Sequence, residues 1–161
     1  MLAYPVETAV IPIPSELRVL LKWLHRFAVE PPDQSIRGGT QFNLLTTDKY
    51  KVIRTFLRAL SDPITRIINE QWKFEGVWSS NLNRGGQHVK HVHPKGWISG
   101  CCYIDVPDNR SAHLTCFTDP CTVIIPEAGK CVLFPSWLPH EVSVYAGERP
   151  RLTIAFDLVK P

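Results

Sequence analysis

From Trp72 to the C-terminus the chain has no stretch of helical periodicity. Short β-rich runs follow one another at about 73–82, 87–93, 97–105, 111–117, 121–125, 129–135, 139–146 and 150–159, separated by Gly, Pro, Asn and Asp. About eight consecutive strands with no helix between them is the count of a closed barrel or a double-sheet jelly roll. No other feature of the chain restricts its fold as strongly.

The first 71 residues read differently. Val6 to Ile13 is β-rich but interrupted by Pro12, which suits an edge strand or an extended arm. Ser15 caps an amphipathic helix with Leu17, Leu20, Leu21, Leu24 and Phe27 at helical spacing and Glu16 in its first turn. Pro31-Pro32 ends it. Ser35 to Thr40 reads as a loop and Phe42 to Leu45 as a short strand. A second helix begins at Thr47 or Asp48, with Tyr50, Ile53, Phe56, Leu57 and Leu60 as its apolar stripe. Asp62-Pro63 restarts the helix, and Ile64, Ile67 and Ile68 carry it to about Asn69. The expected architecture is mainly β with N-terminal helices: one domain over 1–161, with an arm and two or three buttressing helices in 1–71 and the barrel core in 72–161.

A chain of 161 residues can bury a core without staples. Its net charge of +3, with basic residues scattered, gives no reason to expect a nucleic-acid partner. No apolar run reaches the ~18 residues of a membrane span. Met1 to Pro14 lacks a basic segment and is broken by three prolines, so no signal peptide is expected. Cys101, Cys102, Cys116, Cys121 and Cys131 are odd in number and form no CxxC pair. They are expected to be free, buried and apolar in character, in a reducing cytoplasm. Oligomeric state is not legible.

The chemistry gathers in two distant stretches, Gln87-His88-Val89-Lys90-His91-Val92-His93-Pro94 and Phe134-Pro135-Ser136-Trp137-Leu138-Pro139-His140-Glu141-Val142. His91 and His93 are two apart, so on a strand both imidazoles leave one face. His140 opens a later strand and supplies a third. Three imidazoles suit Fe, Zn, Cu or Ni, and ligand type alone does not choose among them. His88 is three before His91, so strict alternation sends it to the opposite face. His25 is expected to be structural or exposed, and the isolated His113 structural.

Arg151 opens the apolar strand Arg151-Leu152-Thr153-Ile154-Ala155-Phe156, where a buried guanidinium is costly without an anionic partner. Beside a metal it can hold a carboxylate bidentately. Thr153 faces the same way, and Tyr103 on another strand can complete the pocket. Arg149 reads as a surface residue. Trp78, Trp97 and Trp137 fit either an apolar mouth or the core.

Residues 78–156 resemble the small prolyl-hydroxylase-like Fe(II)/2-oxoglutarate-dependent oxygenases. The matching pieces are His91-Val92-His93-Pro94, Ile98-Ser99-Gly100-Cys101-Cys102-Tyr103-Ile104, Phe117-Thr118-Asp119-Pro120, the stretch from Phe134 to Val142, and Arg151 to Phe156. The resemblance implies a double-stranded β-helix that works with Fe(II), 2-oxoglutarate and O2. It implies His91, His93 and His140 as metal ligands, and Arg151, Thr153 and Tyr103 as the site of the distal carboxylate of 2-oxoglutarate. The reaction implied is hydroxylation of a C–H in a peptide, amino acid or small molecule, with release of succinate and CO2. The chain departs from the wider superfamily, which usually has Asp or Glu where His93 stands. Asp105, Asp119 and Glu141 are the carboxylates that could otherwise reach the metal.

Two further readings compete. A cupin-like three-His metalloenzyme, independent of 2-oxoglutarate, shares barrel geometry and the run Gly129 to Pro135, but Lys95 to Gly100 lacks its glutamate. A non-catalytic metal-binding barrel would normally close its metal with a fourth protein ligand, which no neighbouring cysteine is placed to give.

Overall fold

The computed structural model describes residues 1–31, 35–45 and 50–161. Among them lie two helices, α1 (Ser15–His25) and α2 (Lys51–Ile68). The strands are β1 (Glu7–Val10), β2 (Ile36–Asn43), β3 (Lys73–His91), β4 (Ile98–Asp105), β5 (Leu114–Cys116), β6 (Thr122–Ile124), β7 (Lys130–Pro135), β8 (His140–Val142) and β9 (Arg151–Val159). Every pairing is antiparallel, in the order β1-β7-β4-β9-β3-β8-β5-β6, with β2 beside β3. No helix among the described residues is long and apolar enough to cross a membrane.

One strand makes two layers out of this sheet. The first half of β3 pairs with β9, from Lys73↔Val159 to Leu82↔Arg151. Its second half pairs with β8 at His88↔Val142 and His91↔His140. The runs expected separately at 73–82 and 87–93 are therefore one long strand that bends from the larger layer into the smaller. Gly85, with φ of 82°, lies at the bend, where an L side chain would be strained. The curled sheet is the jelly-roll barrel expected from the strand count.

Period-two alternation then divides the chain between core and cavity. On β9, Leu152, Ile154, Phe156 and Leu158 join the main apolar core, as do Ile98, Cys102 and Ile104 of β4 and Cys131 and Leu133 of β7. The helices cover this face through Leu17 and Leu21 of α1 and Ile53, Phe56, Leu60, Ile64 and Ile68 of α2. The alternate residues, Arg151, Thr153, Ala155 and Asp157 of β9 and Ser99, Cys101 and Tyr103 of β4, line a cavity between the layers. Apolar burial on one face thus fixes the register that presents the polar set on the other.

Several local expectations are corrected. Pro14, not Ser15, caps α1, and Ser15 Oγ turns to Glu16 at 3.4 Å. Phe27 lies past the end of α1 and is 71% exposed. Residues 36–40 belong to β2 rather than a loop. Pro63 lies inside α2 instead of restarting a third helix. The proline leaves the carbonyl one turn earlier without its amide, but the stripe from Ile53 to Ile68 is buried along its whole length and keeps the helix continuous. The proposed helix start at Thr47 or Asp48, and Pro32, lie outside the described residues. Cys102 and Cys131 stand opposite each other on β4 and β7 and are joined as a disulfide, so the five thiols are not all free. Of the other three, Cys116 is buried, Cys101 half-buried and Cys121 exposed.

His25 is neither exposed nor incidental. Its Nε2 lies 2.9 Å from Ser79 Oγ and its Nδ1 2.7 Å from Thr40 Oγ1. Ser79 donates its own proton to the Thr153 carbonyl, so Nε2–H donates to Ser79 and Nδ1 accepts from Thr40. Burial pushes its pKa down to about 4. A histidine depressed in the fold stays neutral there while the unfolded chain takes up a proton. Stability should therefore be full above about pH 6.5 and fall as pH drops towards 4, by on the order of 2–3 kcal/mol from this residue. Urea melts of the metal-free protein at pH 7 and 4.5 test this, and His25→Gln should flatten part of the slope.

Candidate active site

The three imidazoles expected to meet do so. Their potential ligand nitrogens all lie within 4.8 Å of one another. His91 and His140 are directly paired across β3 and β8, and the His93 amide donates to the Ser136 carbonyl at 2.8 Å, tying its segment to the end of β7. In each ring Nδ1 is already engaged. His91 Nδ1 lies 2.7 Å from the Val89 carbonyl and His140 Nδ1 3.0 Å from the Leu138 carbonyl. His93 Nδ1 lies 3.0 and 3.1 Å from the two Asp157 oxygens. Those oxygens only accept, so each Nδ1 carries a proton, and in the neutral ring the lone pair is left on Nε2. The Nε2 atoms of His93 and His140 stand 3.3 Å apart. Two lone pairs facing at that distance repel unless a cation lies between them. Burial pushes the pKa of His140 down to about 4 and also lowers that of His91, which keeps both donors unprotonated near neutral pH.

The same cavity, about 850 Å³, is lined by His91, His93 and His140 and also by Arg151, Thr153 and Tyr103. Arg151 is 3% exposed. One Nη1–H donates to the Ala112 carbonyl at 2.8 Å, and the guanidinium lies 5.5 Å over the Tyr103 ring. Among the described residues its Nε has no hydrogen-bond partner, and neither has the Tyr103 hydroxyl. The Cys101 thiol influences that hydroxyl electrostatically but does not meet hydrogen-bond geometry. Among the described residues no carboxylate pairs with Arg151. A buried guanidinium in this state is short of an anion, and the two orphaned donors point to an oxyanion as the missing group. Ala112, which supplies the one anchor, adopts a left-handed conformation (φ 54°) uncommon for alanine.

The remaining candidates sort clearly. Asp105 is held by Lys22 at 2.6 Å, away from the histidines, and no Asp or Glu among the described residues joins the three imidazoles as a possible ligand. His88 corrects the alternation argument. Two residues lie between His88 and His91 while one lies between their partners on β8, a β-bulge that turns His88 into the cavity. Burial foremost, and the Arg151 charge second, push its pKa down to about 3. Trp78 lines the cavity and stacks on His93. Trp97 packs against the main core, and Trp137 is 70% exposed. Sequence reasoning missed Asp157 and the hydroxyls behind it, Ser99 and Ser136, although Asp157 obeys the same alternation as Arg151 and Thr153.

The family model described as "Putative 2OG-Fe(II) oxygenase" matches residues 76–123 and 113–157. The chain belongs to this family. The match includes all six expected site residues. No curated protein matches the sequence. Solved structures share the fold. A prolyl-4-hydroxylase of Pseudomonas putida superposes with a TM-score of 0.69 at 19% identity, over 96% of this chain and 93% of that one. A viral collagen prolyl hydroxylase of Paramecium bursaria Chlorella virus-1, solved as a 2-oxoglutarate complex, gives 0.73 at 15% identity, over 99% and 98%. A prolyl hydroxylase of Trichoplax adhaerens, in complex with a hypoxia-inducible-factor peptide fragment, gives 0.71 at 14%, over 96% and 84%. As a 2OG-Fe(II) oxygenase the chain works with Fe(II), 2-oxoglutarate and O2. The donors fit those groups: unprotonated imidazole nitrogens suit Fe(II), and the unpaired guanidinium suits a carboxylate.

Proposed function

We propose that His91, His93 and His140 hold the Fe(II) and that Arg151, Thr153 and Tyr103 hold the distal carboxylate of 2-oxoglutarate. The chain then hydroxylates a C–H of a peptide, amino acid or small molecule and releases succinate and CO2. The observation that carries this reading is the unpaired Arg151 guanidinium in the same cavity as three converging imidazole lone pairs. Cupin-like and purely structural readings give that guanidinium no work.

When bound, Fe(II) couples oxidative decarboxylation of 2-oxoglutarate to activation of O2. The chain's own residues supply orientation. The Val89 and Leu138 carbonyls and the Asp157 carboxylate hold the three ring planes through Nδ1, so the Nε2 atoms are aimed before any metal arrives. Arg151, fixed on one side by the Ala112 carbonyl and packed on Tyr103, offers its remaining donors to a carboxylate without rearranging. Phe134, Leu114 and Val142 make the apolar wall that keeps water away from the reacting groups. Gln41, Phe42, Asn43, Pro31 and Lys95 line the same cavity and form the surface a substrate would meet. Structural relatives solved with a bound peptide fragment and with hygromycin B support a peptide or a small molecule as substrate.

The test is turnover without added substrate. Protein loaded with Fe(II) in air should convert 2-oxoglutarate slowly to succinate, and the conversion should disappear in Arg151→Ala. Succinate formation that is absent in the unaltered protein, or untouched by the substitution, contradicts the reading.

A further inference from the structure

We propose that Asp157 is the anionic member of the metal site, acting through the His93 ring instead of binding the metal itself. The inference rests on His91, His93 and His140 being the ligands. A metal held by three neutral imidazoles lacks the negative charge that a carboxylate ligand would bring, and non-haem Fe(II) oxygenases generally use two histidines and one carboxylate. In this chain the histidine that replaces the carboxylate is also the one with a carboxylate directly behind it. His91 and His140 rest their Nδ1–H on main-chain carbonyls, whereas His93 rests its own on both oxygens of Asp157, at 3.0 and 3.1 Å. A carboxylate accepting from Nδ1–H makes the opposite nitrogen a stronger donor and fixes the ring's tautomer and tilt. The charge is displaced by one ring, not lost.

The surroundings are built to hold Asp157 in that role. Ser99, its cross-strand partner on β4, donates Oγ–H to Asp157 Oδ1 at 2.6 Å. Having spent its proton there, Ser99 accepts from Ser136 Oγ at 2.8 Å. The chain Ser136–Ser99–Asp157–His93 is thus directional. Gly96 makes room for it, since a Cβ there would collide with Ser136 Oγ and touch Asp157 Cβ at 3.5 Å. Trp78 stacks on the His93 ring and restrains its plane. Among the described residues no Lys or Arg forms a salt bridge with Asp157. Its charge is therefore committed to His93.

Co(II) is the probe, because its affinity can be titrated and its visible spectrum reports ligand strength without turnover. Asp157→Asn keeps the shape and an accepting oxygen but removes the charge. It should weaken Co(II) binding by roughly 10–100-fold, the range found for partners of metal-bound histidines, and shift the visible bands. The decisive step repeats the substitution in a His93→Asp background, where the metal meets a carboxylate directly. There Asp157→Asn should cause no loss, and a gain is expected, since two carboxylates would otherwise face each other. Unchanged Co(II) affinity and spectrum in Asp157→Asn overturns the inference. So does an equal loss in both backgrounds, which means a packing role, or tight binding in His93→Ala, which makes Asp157 a direct ligand. If Asp157→Asn does not fold, Ser99→Ala is read in its place: a several-fold loss confined to the His93 background supports the inference, and no loss overturns it. Failure of the unaltered chain to bind Co(II) at all would instead reject the three-imidazole site, and this inference with it.

Discussion

Arg151→Ala should weaken 2-oxoglutarate binding to the metal-loaded protein by about 2–5 kcal/mol, the cost of removing one partner of a buried charge-assisted pair. Calorimetry at matched metal loading measures it. Lost binding energy alone does not separate a ligand-binding arginine from a structural one, but fold stability does. With no cosubstrate bound, the buried guanidinium has, among the described residues, the Ala112 carbonyl as partner and an unsatisfied Nε. Replacing such a charge by an apolar side chain of similar volume is often neutral or stabilising. Arg151→Met should therefore melt no lower than the unaltered protein in the absence of 2-oxoglutarate, and should gain nothing when it is added. A structural arginine would give a clear drop in the first measurement.

The second large effect belongs to His140. His140→Ala removes a buried donor whose Nε2 stands 3.3 Å from that of His93 and whose ring packs on Phe134. Two imidazoles on one short segment remain. Metal affinity should fall by more than the 10–100-fold expected for a residue that only supports a ligand. His88→Ala is the matched control, because His88 lines the same cavity but is not one of the three clustered imidazoles. It should retain the metal. Full retention in His140→Ala would break the three-imidazole site.

Much of this was legible from period-two spacing. On β9 every second residue enters the core and the residues between enter the cavity, so Arg151 and Thr153 declared their face in the sequence. Tyr103 did so on β4. Asp157 obeyed the same rule, but its partner did not follow from it. Which histidine it meets depends on how the segment after β3 returns over the ends of β4 and β9, and that is tertiary. His88 illustrates the converse: the bulge between His88 and His91 adds one residue to one strand, and no residue type in Val89-Lys90 announces it. The Cys102–Cys131 pairing needed the β4/β7 register, which spacing along one strand cannot supply. At Pro63 local propensity favoured a break, and burial of the stripe on both sides overrode it. The jelly roll itself, with its buttressing helices, followed from the strand count and the change of period near Trp72.

The most direct test of the account is an anaerobic titration of the purified chain, first with Fe(II) and then with 2-oxoglutarate, followed by calorimetry. The account predicts one Fe(II) per chain, then one 2-oxoglutarate whose binding depends on both the metal and Arg151. Tight metal binding with no affinity for 2-oxoglutarate, or 2-oxoglutarate binding indifferent to Arg151, would contradict it.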